Sequence, residues 1–129
     1  MKKLTALELV EKTELNDFKV KSIELDIKNF FFSIELEGAY FFENKSSSPV
    51  ALENGGEIKV KNYTAFEARY FLPKEKLWKS LDYENLEKVV EINDKSYKDA
   101  IFRLAGSGGN GYWVEYLIDG GEIEINFVD

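Results

Sequence analysis

Residues 112–127 read Tyr-Trp-Val-Glu-Tyr-Leu-Ile-Asp-Gly-Gly-Glu-Ile-Glu-Ile-Asn-Phe. Tyr112, Val114, Tyr116 and Ile118 alternate with Trp113, Glu115, Leu117 and Asp119. After the glycines, Ile123, Ile125 and Phe127 alternate with Glu122, Glu124 and Asn126. A period of two marks strands with one face in a core. Asp119-Gly120 can take positive φ at both central positions, so the two strands are expected to form an antiparallel hairpin. With the strand before it, the hairpin is expected to put Phe102, Val114, Tyr116, Ile123, Ile125 and Phe127 in the core, with Glu122 and Glu124 outward.

Working backwards, Ala100, Phe102 and Leu104 give a further strand face, and Gly106 to Gly111 reads as a glycine-rich loop. Asn93-Asp94-Lys95-Ser96 reads as a turn. From Ile58 to Leu72 the even positions are mostly apolar, as expected of one long strand. Pro73 should end it and open a helix over 74–81, with Leu77, Trp78 and Leu81 on one side. Asp82 to Asn85 can start another helical turn, although Val89 to Ile92 suits a strand equally well.

Towards the other end, Thr5 and Glu8 have capping-box spacing, which predicts a helix near 5–12. Between Phe18 and Lys28 the alternation slips phase, as a β-bulge near Lys21-Ser22 would make it do. Phe30, Phe32, Ile34 and Leu36 share a parity, and Gly38 should break or bend that strand. The triplets 30–32 and 40–42 put rings on both faces, so Phe31 and Phe41 need a second cover. The expected class is α+β: an antiparallel sheet of five to seven strands with two or three short helices, in one domain spanning 1–129.

Composition removes much chemistry. The chain has 129 residues, of which 44% are hydrophobic and 15% aromatic, enough for a substantial core. It has no Cys and no His. That excludes disulfides, thiolate nucleophiles, the Ser-His-Asp triad and the usual structural metal sites. No cofactor or metal is expected. Glu35 with Glu37, and Glu122 with Glu124, are paired carboxylates, but each pair sits opposite an apolar face and reads as solvated strand surface. The Gly106–Gly111 run lacks a following helix and a Gly-Lys-Ser/Thr, so it is no phosphate cradle. The opening Met1-Lys2-Lys3 reaches no long apolar run, so neither a signal peptide nor a membrane span is expected, and the cytoplasm is the expected compartment.

Net charge is −7, and residues 106–129 hold five carboxylates and no base. No basic cluster suits a nucleic acid. A concentrated negative field beside aromatic side chains instead suits a basic protein partner, with Glu115, Asp119, Glu122 and Glu124 steering it and Tyr112 and Trp113 supplying contact area. In lacking Cys and His, in its charge and in the acidic stretch from Glu115 to Asp129, the chain resembles the small acidic immunity proteins of bacterial toxin–immunity pairs. That resemblance implies a non-enzymatic inhibitor that binds and occludes a basic toxin or nuclease. A small-ligand-binding β domain with an aromatic-lined pocket is the alternative expectation, and an enzyme working through carboxylates a third.

Overall fold

The computed structural model describes residues 1–44, 46–81, 88–109 and 111–129. Of these, 61% lie in strands and 6% in helix. The expected α+β class is therefore corrected: the fold is mainly β, with three antiparallel sheets and one helix among the described residues. In chain order the first elements are β1 (Lys2–Leu4), α1 (Ala6–Lys12), β2 (Thr13–Glu14), β3 (Val20–Asp26), β4 (Phe31–Leu36), β5 (Ala39–Phe41) and β6 (Val50–Leu52). Then follow β7 (Gly56–Lys61), β8 (Ala65–Leu72), β9 (Leu77–Ser80), β10 (Val89–Lys98), β11 (Ile101–Gly108), β12 (Trp113–Asp119) and β13 (Glu122–Phe127).

The helix is the one capped in sequence. Glu8 N–H donates to Thr5 Oγ1 at 3.1 Å, and Thr5 N–H donates to Glu8 Oε1 at 3.0 Å. The other expected helix, over 74–81, is absent. Pro73 to Lys76 form a turn closed by Lys76 at φ 53, and β9 folds back to pair with β8. Apolar spacing over so short a run suits both periods, and strand pairing gives the backbone its partners while Trp78 packs on Phe71 at 5.2 Å. The second helical turn, at 82–85, lies outside the described residues, but Val89 and Val90 begin β10.

Five strands make the first sheet in the order β1-β13-β7-β4-β3, and five make the second in the order β10-β11-β12-β8-β9. The third sheet is the small β2-β5-β6. Inner faces of the two large sheets meet through rings: Phe32 lies 5.2 Å from Phe66 and 5.6 Å from Tyr116. Phe102, Val114, Tyr116, Ile125 and Phe127 are buried as expected, Ile123 is partly buried, and Glu122 and Glu124 are exposed. The bulge also falls where the phase slips, between Val20 and Ser22.

The expected hairpin at Asp119-Gly120 is corrected, because β12 and β13 do not pair with each other. β12 lies between β11 and β8 in the second sheet, whereas β13 lies between β1 and β7 in the first. The long strand expected over 58–72 divides likewise, into β7 and β8, at Asn62 with φ 56. The segments β7–β8 and β12–β13 thus run side by side through both sheets and bend together. Thr64 N–H donates to the Asp119 carbonyl at 2.7 Å at the bend. Gly120 and Gly121 take φ 71 and 93, and a Cβ on Gly121 would meet the Lys61 carbonyl and the Tyr63 backbone. Glycine is needed here for conformation and for closeness.

Two turn assignments also move. Asn93 to Ser96 lie inside β10, which carries register shifts near Val90 and Asn93. The turn comes at Asp99 and Ala100, with φ 53 and 63, the two-residue geometry that matches strand twist. The glycine-rich segment is partly strand, since β11 continues to Gly108. Gly106 is needed there because a Cβ would run into the Glu91 carbonyl of β10.

Candidate functional site

Alternation sends one set of side chains from each large sheet to its outer face. The outer face of the first sheet is mostly charged: Glu35 of β4, Glu57, Lys59 and Lys61 of β7, and Glu122 and Glu124 of β13, with the partly covered Phe31 and the buried Ser33 of β4 among them. That of the second sheet is different in kind. Trp113, Phe71 and Trp78 stand directly across from one another on β12, β8 and β9. Trp78 is 40% exposed, while Trp113 and Phe71 are partly covered. Further along the same face lie Leu117 and Ile101, the latter 40% exposed.

A charge network divides these two apolar zones. Glu115 lies across from Arg69 on one side and Ala105 on the other. It is only 4% exposed. Arg69 donates to its Oε2 through Nε at 2.9 Å and through Nη2 at 2.8 Å. Arg103 donates to Oε1 through Nε at 3.0 Å and through Nη2, and reaches Asp94 through Nη1 at 2.8 Å. Burial alone would raise the Glu115 pKa, but the bonds from Arg103 and Arg69 outweigh it and hold the carboxyl below its usual range. The Arg103 bond also lowers Asp94. The Arg69 guanidinium in turn lies over the Trp78 ring, 4.5 Å from its centroid, which ties the charge network to the aromatic row.

The expected binding residues are thus divided between places. Trp113, Glu115 and Asp119 share the outer face of the second sheet. Tyr112 has the opposite parity and stacks on Tyr70 at 5.9 Å. Glu122 and Glu124 belong to the first sheet, whose outer side faces away. The acidic stretch is also less bare than its sequence: Arg69 and Arg103 neutralise Glu115, Lys61 pairs with Glu124 at 3.1 Å, and the N-terminal ammonium pairs with Asp129. Strand pairing brings these bases from 12 or more residues away. Sequence reasoning missed Arg69, Phe71, Trp78 and Arg103. The odd parity of Glu67, Arg69 and Phe71 was the available signal, but the helix expected over 74–81 hid Trp78.

Other chemistry finds less support. The buried acid Glu115 has a lowered pKa and four N–H donors on it, so it is not a carboxyl kept protonated for general-acid work. Among the described residues no three metal-ligating side chains converge. Lys95 is partly buried, which lowers its pKa, and it donates to the Thr13 carbonyl at 3.0 Å as a tie between the second and third sheets. The rings a ligand pocket would use, Phe32, Phe66 and Tyr116, are packed on one another. Phe31 and Phe41 do not share a face: Phe31 belongs to the first sheet, and Phe41 is buried in the third under the Lys2 ammonium. No described helix is long and apolar enough to cross a membrane. Compared with known proteins, the chain matches no family model, no curated protein and no solved structure.

Proposed function

We propose that this chain is a non-enzymatic protein-binding module, an inhibitor of the immunity kind, which occludes a basic partner with the outer face of its second sheet. The observation that carries this reading is the row Trp113–Phe71–Trp78 on a solvent face, beside a buried Glu115 held by two arginines. Tryptophan, other aromatics and arginine on a rigid sheet are what interface hot spots are made of. The charged outer face of the first sheet is the internal contrast: the same alternation there puts mainly Lys and Glu outward, with Phe31 its one aromatic ring among the described strand residues. Negative net charge would speed the encounter with a basic partner, and the fixed rings would slow its departure.

The test is kinetic. The proteins encoded beside this chain's gene are purified, and binding is followed by interferometry at low and high salt. The Trp78→Ser/Trp113→Ala variant should dissociate about 30-fold faster, the effect of losing roughly 2 kcal/mol of hot-spot contact. Glu122→Gln/Glu124→Gln should leave dissociation unchanged. Unchanged dissociation of the tryptophan variant, together with loss of binding in the first-sheet variant, would move the interface to the other side of the molecule.

A further inference from the structure

At the end of the outer face away from the aromatic row lies a groove of about 240 Å³. Ala65, Leu117 and Ile101 line it with apolar surface, and Glu67 and Asp119 stand on its rims. Strand register builds this arrangement. Leu117 is directly across from Glu67, and Asp119 has Ala65 on one side and Ile101 on the other. Glu67 and Asp119 are therefore diagonal neighbours on one face, at positions about 7–8 Å apart and within reach of one long side chain.

Neither rim carboxylate has an ion pair among the described residues, and both are exposed. The base nearest by register, Arg103, lies across from Leu117, but its guanidinium is committed to Glu115 and Asp94. Arg69 is committed to Glu115 as well. Lys98 lies one strand further out, across from Ile101. The groove thus combines an apolar floor with two unneutralised acids, on a chain of net charge −7.

We propose that this groove receives a lysine or arginine side chain of the partner protein. Its aliphatic stem would lie on Leu117, Ile101 and Ala65, and its cation would sit between Glu67 and Asp119. Long basic side chains have this composition, an apolar stem carrying a charged head. The proposal rests on the outer face being the interface, and it adds which partner chemistry that face selects. It would give the inhibitor two kinds of contact on one rigid sheet: ring burial at one end and a charge-reading groove at the other.

The experiment uses small probes, so it does not wait on the partner. Methyl-labelled protein is titrated with N-acetyl-arginine methylamide and N-acetyl-lysine methylamide, and Ile101, Leu117 and the Asp119 amide are followed by NMR. Norleucine methylamide supplies the stem without charge, and tetramethylammonium the charge without stem. Saturable shifts confined to the groove are expected with the first two probes. Glu67→Gln/Asp119→Asn should weaken binding about fivefold, the loss of two exposed ion pairs. Both side chains are exposed, and an unchanged spectrum elsewhere would confirm the fold. Shifts that do not saturate, that spread over the surface, or that saturate at the same ligand concentration after the double substitution would overturn the groove assignment. That failure would leave the tryptophan test untouched, because the aromatic row is read with the partner and with different variants.

Discussion

Replacing Glu115 with Gln tests the network that holds the outer face. The substitution keeps the shape and removes the charge, leaving two guanidinium groups without their shared counter-ion. Breaking a buried ion pair by removing one partner costs about 3–5 kcal/mol when the remaining charge cannot reach water. Here Arg69 and Arg103 retain 33% and 22% exposure, and Arg103 keeps Asp94. The expected cost is therefore smaller, about 2 kcal/mol at neutral pH, or about 6–10 °C in Tm for a chain of this size. Urea unfolding of both proteins from pH 7 down to pH 3 is the assay. The pKa of Glu115 is lowered in the folded state, so its contribution is full above the unfolded carboxylate pKa. It is lost as pH falls through the folded value. The wild type should lose stability below about pH 5 more steeply than the variant, and the two curves should converge in acid. A loss under about 0.5 kcal/mol at pH 7 is the size of an ordinary surface change and would refute the reasoning. So would a difference that stays constant down to pH 3.

Two further substitutions test the fold, both by chemical denaturation. Gly106→Ala should destabilise by about 1–3 kcal/mol, because its Cβ meets the Glu91 carbonyl and a backbone atom cannot step aside as a side chain can. Wild-type stability in that variant would mean β10 and β11 are less closely apposed there. Ile125→Ala, in the middle of β13 and 2% exposed, should cost about 2–5 kcal/mol. A cost below 1 kcal/mol would contradict the register that turns Ile125 inward and Glu124 outward.

Local patterns in this sequence were legible where one residue type decides one geometry. Thr5 with Glu8 announced the helix cap, the slip between Val20 and Ile23 announced the bulge, and the parity of Ile125 and Phe127 announced the inward face. What the sequence did not disclose depends on partners far along the chain. Asp119-Gly120 suits a hairpin and a bend between sheets equally, because both need positive φ at Gly120, and only the pairing of β13 with β7 separates them. Leu77, Trp78 and Leu81 fit a helical stripe, and nothing local opposed it. Glu115 looked like a free surface charge because its two arginines lie 12 and 46 residues away. The candidate face was half legible for the same reason: Trp113 and Asp119 stood in the acidic stretch, while Phe71, Trp78 and Glu67 came from strands whose adjacency no pattern stated.

The shared bend of β7–β8 against β12–β13 bears on how the molecule folds. Each large sheet has a strand from the last part of the sequence in its interior, with β12 flanked on both sides in one and β13 in the other. Neither sheet can be completed from neighbouring segments alone, and the closing contact, such as Lys61 with Glu122, spans a long loop of chain. Loop closure of that length comes before the contacts that reward it, so folding should be slow for a domain of this size. The same wiring denies the two sheets separate lives. Opening one pulls on the strands that run on into the other, so they should be lost together in a single cooperative transition rather than one after the other.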